Sequence, residues 1–226
     1  MLYLVATLTV LLIIIGPNIW VRHILKKHHK PMPMPGTGGE LAKHLLIQYK
    51  LNDVHVEQSS KDNDHYNPAE NTVCLSPEVY NGKSLSAIAV AAHEVGHAIQ
   101  FNRKEAVSLL RDKYLNKAHQ VQHYGIYILM SLPIAGAIFG IPHLALLTAL
   151  IGVCTMLASV LMYAAILPEE WDASFNKALP ILEKGEYVPP QHIPAIRQIL
   201  KACALTYVAA SLADILRLWR WLTLIR

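Results

Sequence analysis

The 226-residue chain is 53% hydrophobic with a mean hydropathy of +0.30, too apolar for an ordinary soluble domain, so part of it is expected in lipid. Its three cysteines, Cys74, Cys154 and Cys203, lie far apart without paired spacing, which argues against a disulfide framework and a thiolate zinc site. The net charge of +4 comes largely from clusters such as "RHILKKHHK", and no basic stripe interleaved with aromatics appears, so nucleic acid is not an expected partner.

Met1 to Val21 has no charged side chain and is long enough to cross a bilayer as a helix. Arg22, Lys26, Lys27 and Lys30 follow at once, whereas a cleaved signal peptide has its basic residues before the apolar run. Residues 1–21 are therefore expected to be a retained transmembrane anchor, with the N-terminus outside and the basic flank in the cytoplasm. His28 and His29 belong to that flank and are expected to be solvated at the lipid surface. The basic and Pro/Gly linker, residues 22–39, ends in "PMPMPGTGG", which cannot continue a helix.

Residues 40–123 are expected to form the first part of a catalytic domain. Glu40 to Tyr49 reads as a short amphipathic helix, and "VHVEQ" (54–58) as a strand by its alternation. After the turn-rich "KDNDHYNPAEN", "TVCLS" (72–76) suits a second strand. Ser84 or Ser86 can cap the next helix, which is apolar to Phe101 before the charged stretch Arg103 to Lys117.

From Tyr124 through Pro168 there is no Asp, Glu, Lys or Arg. This exceeds one crossing, and "FGIPH" (139–143) supplies a glycine and a proline in its middle, so a transmembrane helical hairpin is expected over 124–167. Such a hairpin returns the chain to the side it left, which puts Glu169 in the same compartment as residues 22–123. The remainder, 168–226, reads as the second part of the catalytic domain, mostly helical and broken at "YVPPQHIP". Its acidic "PEEWDAS" follows a proline, where a helix can begin. Asp214, Arg217 and Arg220 interrupt the final apolar run, which suits an interfacial or domain-packed helix better than a further span.

The chemistry centres on "VAAHEVGHAI" (90–99). Positions four apart on a helix stand one above the other, so His93 and His97 can present imidazoles to one ion, with Glu94 beside it. Zinc is the natural occupant: a catalytic zinc keeps three protein ligands and a water, and Glu94 can take the water's proton and pass it to a leaving amine. Ala91, Ala92, Gly96 and Ala98 leave room around the metal. The third ligand must come from elsewhere: His119, His123, Glu169, Glu170, Asp172 and His192 are the candidates downstream, and chemistry alone does not choose between Glu169 and Glu170.

"NPAENTVCLSPEVYNGKSLSAIAVAAHEVGHAIQ" (67–100), the uncharged hairpin, "LPEEWDAS" (167–174) and "ALTYVAA" (204–210), in this order behind an N-terminal anchor, resemble the YugP-type neutral zinc metallopeptidases of bacterial membranes. That family is similar in turn to the membrane gluzincins, whose third ligand is a glutamate on a later helix followed by an aromatic residue. The resemblance implies Glu170, with Trp171 after it, as that ligand. Related gluzincins carry an aspartate four residues further on; here Ser174 stands there, with Asp172 two residues earlier, and either could orient a metal-bound histidine. The resemblance also implies an edge strand that takes up substrate as an added strand, with "TVCLS" as its counterpart. Tyr207 could hydrogen-bond a tetrahedral oxyanion.

The expected protein is therefore mainly α: a zincin-like (gluzincin) catalytic domain with a small β element, a transmembrane anchor and an inserted transmembrane hairpin. Its expected function is a multi-pass, Zn2+-dependent endopeptidase of the bacterial cell membrane, with its site on the cytoplasmic side. Its partners would be the lipid bilayer and peptide or membrane-protein substrates, with room for a homo-oligomer or a larger membrane complex. Two other readings stand beside it: an intramembrane site-2-type protease, although the "LDG" element of such enzymes is absent, and a non-proteolytic zinc-binding membrane scaffold or regulator.

Overall fold

A computed structural model describes residues 2–60, 63–139 and 142–224. The chain is mainly helical with one small sheet, and it divides into two compact units. The first comprises Met1–Ile19, Leu110–Leu167 and Thr206–Arg226; the second comprises Trp20–Leu109 and Pro168–Leu205.

The second unit is built around one buried helix. The N-terminal helix α1 (Leu2–Lys27) runs on through the basic flank, beyond the Val21 boundary expected for the anchor. Helix α2 (Gly38–Gln48) is opened by a capping box, in which Thr37 accepts from the Glu40 backbone and the Glu40 side chain accepts from the Thr37 backbone. Strands β1 (His55–Gln58), β2 (His65–Asn67) and β3 (Thr72–Leu75) form a sheet in the order β1-β3-β2. β1 lies parallel to β3 with His55 opposite Thr72, and β2 lies antiparallel with Tyr66 opposite Val73. The strand expected at the edge, "TVCLS", is thus the central one, and the free edges belong to β1 and β2. A short helix α3 (Pro77–Tyr80) leads to α4 (Leu85–Asn102), where Ser84 accepts from the Ala87 backbone while the Ser86 hydroxyl donates to the Leu25 carbonyl.

Every residue of α4 from Leu85 to Gln100 is buried, so its apolarity is that of a core helix. Val95 and Ile99 on α4, Leu45 on α2 and Val73 and Leu75 on β3 are all at most 1% exposed, each contributing roughly 1.5–3 kcal/mol by its burial.

In the first unit, helices α5 (Leu109–Phe139) and α6 (Pro142–Trp171) pack lengthwise. Ala118 meets Tyr163 and Ile166, while Leu129 meets Met156 and closes on Gly152. Contact positions fall along α6 as they rise along α5, so the two helices are antiparallel. The turn expected between them falls on residues 140–141, outside the described residues. Leu150, Leu157 and Leu161 point outward from α6. Among the described residues one helical stretch, Leu150–Lys184, is long and apolar enough to cross a membrane, its most apolar window having a mean hydropathy of 2.3.

One expectation about this region is corrected. Pro168 does not begin a new helix: α6 continues through it to Trp171, so the acidic pair Glu169–Glu170 occupies the last turn of a long helix. The chain then widens into a π-helical segment (Asp172–Ala178), in which the Leu179 backbone donates to the Ser174 carbonyl, before α7 (Leu179–Lys184) and α8 (Ile193–Leu224).

Candidate metal centre

The second unit brings His93, His97 and Glu170 together, and all three are buried. The helical spacing of α4 puts the two imidazoles at a ring-centroid separation of 4.6 Å, edge to face. Their Nε2 atoms are 3.2 Å apart. Glu170, 73 positions after His97, places its Oε2 3.3 Å from each of them. Close approach of the π-helical segment to α4 depends on Gly96: a Cβ there would lie 2.7 Å from the Ala173 carbonyl oxygen.

The hydrogen bonds fix which nitrogen of each ring faces inward. The Ser174 hydroxyl donates to the Leu200 carbonyl at 3.0 Å, so His93 Nδ1, which lies 3.0 Å from Ser174 Oγ, must be the donor to that hydroxyl oxygen. The Gln100 amide donates to the Glu169 carbonyl at 3.0 Å and to Asp172 Oδ2 at 2.8 Å. Its oxygen therefore faces His97 Nδ1 at 3.0 Å and accepts from it. Each ring thus turns its Nε2 toward the other ring and the carboxylate, and in the neutral form, with the proton on Nδ1, that atom carries the lone pair a metal needs.

A cation lying among three electron-pair donors packed this closely out of water offsets their mutual repulsion. Their separations also match a known ion. Tetrahedral zinc with bonds of about 2.0–2.1 Å spaces its ligand atoms about 3.3 Å apart, and two imidazoles with a carboxylate are a zinc donor set. The residues present fit the metal.

Glu169 is buried as well, but its carboxylate lies on the far side of His97, with Oε1 3.9 Å from Nδ1. Glu94 is 6% exposed, and its Oε2 accepts the backbone N–H of Tyr66 at 2.9 Å. Strand β2, a three-residue element inside the loop expected to be irregular, thus turns its free edge toward Glu94. Asp172 touches neither histidine in a described contact: it holds Gln100, and Lys177 bridges it to Glu105 at 3.1 and 2.9 Å. Ser174, by contrast, contacts His93 directly.

Tyr207 belongs to the first unit, where its ring stacks on Tyr163 at 6.4 Å and 13°. His119 also lies there, bonded to the Tyr163 hydroxyl at 2.9 Å, and His123 stacks on Tyr127. His192 sits in a 3-10 turn beside Gln191. Among the described residues none of these three histidines joins the metal-binding group.

Two participants escaped the sequence reading. Gln100 stands one turn after His97 as a polar residue in the apolar stretch of α4, which was the available signal. Tyr66 acts through its backbone, which carries no residue-type signal. Burial and the negative charges of Glu94, Asp64 and Glu170 push the Cys203 thiol well above its ordinary range, and burial also raises the Tyr66 phenol.

A family model described as "Putative neutral zinc metallopeptidase" matches residues 3–226. A protein of Bacillus subtilis (strain 168) named "Putative membrane protease YugP" is 32% identical over 223 residues, covering 98% of this chain and 95% of the relative. No solved structure matches the chain.

Proposed function

The chain belongs to the neutral zinc metallopeptidase family, whose cofactor is zinc, and from that premise we propose that it is a membrane-anchored endopeptidase whose site faces the cytoplasm. The observation that carries this reading is the buried trio of His93, His97 and Glu170, held 3.2–3.3 Å apart with both Nε2 atoms turned inward.

Zinc held there would supply Lewis acidity, making a water molecule a stronger acid and polarising a peptide carbonyl. Glu94 is the general base: its carboxylate, next in sequence to His93, takes a proton and returns it to the leaving amine. The Tyr66 N–H holds one of its oxygens and so fixes its orientation. Ser174 and Gln100 act on the histidines. By accepting from Nδ1 they keep each ring in the tautomer a metal needs, and Asp172 anchors Gln100. With "TVCLS" in the centre of the sheet, an extended peptide would add at β1 or β2, and of these β2 lies beside Glu94.

Membrane attachment is supported by the uncharged 124–167 stretch, the outward leucines of α6 and the word "membrane" in the relative's name. Arg22, Lys26, Lys27 and Lys30 support the cytoplasmic side. Glu170 follows the end of the apolar stretch within one helical turn, so the site would stand close to the bilayer surface, suited to peptides or to segments of membrane proteins. The burial of α4 within protein from Leu85 to Gln100 favours this over a metal helix immersed in lipid.

Two experiments bear on this. Purified full-length protein should cleave casein, lose that activity to a chelator and regain it with zinc; cleavage indifferent to the chelator would overturn the proposal. Ser174→Ala should weaken zinc binding about 10- to 100-fold, because His93 loses its Nδ1 partner. A chelator-competition titration reads this directly, and parental affinity would remove Ser174 from the scheme.

A further inference from the structure

Beyond the peptidase site, the second unit holds a cavity of about 290 Å3 where the end of α4 meets the π-helical segment and α7. Its walls carry three cations, Arg103, Lys177 and Lys184, the amides of Gln48 and Asn176, and no carboxylate. Glu105 and Asp172 neutralise Lys177, but none of the described ion pairs takes up Arg103 or Lys184. The Arg103 guanidinium lies over the Tyr49 ring, 6.0 Å from its centroid, which restricts a side chain that would otherwise sample many rotamers. Arg103 and Lys184, outside the described ion pairs, and the shared Lys177 stand around a cavity whose remaining wall includes Ile99, Pro180 and Ile181. The Asn176 amide donates to Asp172 at 2.7 Å, and three cations at one cavity make a recognition surface for a compact anion.

We propose that this cavity binds a phosphate group, either free phosphate or the headgroup phosphate of an anionic lipid. Lys177 links the cavity to the metal centre. A phosphate drawing on its ammonium competes with Asp172, Asp172 holds Gln100, and Gln100 accepts from His97 Nδ1. Occupancy is thereby transmitted to one of the histidines in three contacts.

The test is calorimetric titration of inorganic phosphate into the metal-free, full-length protein in nanodiscs of phosphatidylcholine. The parent should bind, and Arg103→Gln/Lys184→Gln, which alters two exposed side chains, should bind about tenfold more weakly or worse. No binding by the parent, or equal binding by the variant, overturns the site. Nanodiscs of phosphatidylglycerol identify the source: a lipid phosphate already seated there abolishes the titration, whereas equal affinity in both lipids assigns free phosphate. In histidine-15N-labelled protein, phosphate should shift the ring resonances of His97 in the parent and not in the variant; binding without that shift overturns the link to the metal centre.

Discussion

Glu170→Ala is expected to purify without zinc, while Glu169→Ala retains it. The two carboxylates are neighbours on the same helical turn and both are buried, yet they have different work to do. Glu170 Oε2 lies 3.3 Å from both Nε2 atoms, so truncation leaves two buried imidazoles of the three-residue group found among the described residues. Loss of a ligand costs more than the 10- to 100-fold typical of losing a residue that merely orients one. Glu169 bonds Gln100 through its backbone carbonyl, which alanine preserves, and its carboxylate is 3.9 Å from the outward Nδ1 of His97. Zinc per chain after dialysis distinguishes the two variants, and the reverse pattern would make Glu169 the ligand.

Glu94→Gln is expected to abolish proteolysis while leaving the metal site intact. A glutamine has the same size, and its oxygen can still accept the Tyr66 N–H, so neither the fold nor the three ligand atoms is disturbed. What disappears is a group able to take a proton. General-base catalysis contributes about 10²- to 10⁴-fold, and the loss should fall in that range or beyond it. A scaffold that keeps zinc only for folding has no reason to notice the substitution.

The histidine half of the candidate metal centre was legible because helical periodicity turns sequence spacing into geometry: His93 and His97 had to share a face. Glu170 required more, since nothing local separates it from Glu169; the pattern of an aromatic after the ligand, carried by resemblance, pointed to it. Order among short strands was not legible. β1 shows alternation and β3 is β-favouring, but β2 is three residues in a turn-rich loop, and its insertion on the far side of β3 moves "TVCLS" from edge to centre. Pro168 misled for a physical reason: a proline forfeits one backbone bond, which a long helix tolerates near its end, and the widened turn beyond it seats Ser174 against His93. The Gln100 bridge depends on which atoms of α6 face α4, and that is settled only by tertiary packing.

That the buried trio and Glu94 form one catalytic unit is tested most directly by measuring zinc content and casein turnover on a single preparation of Glu94→Gln beside the parent. The expected result is equal zinc per chain with turnover lower by at least about 10²-fold. Parental turnover by the zinc-loaded variant would contradict it.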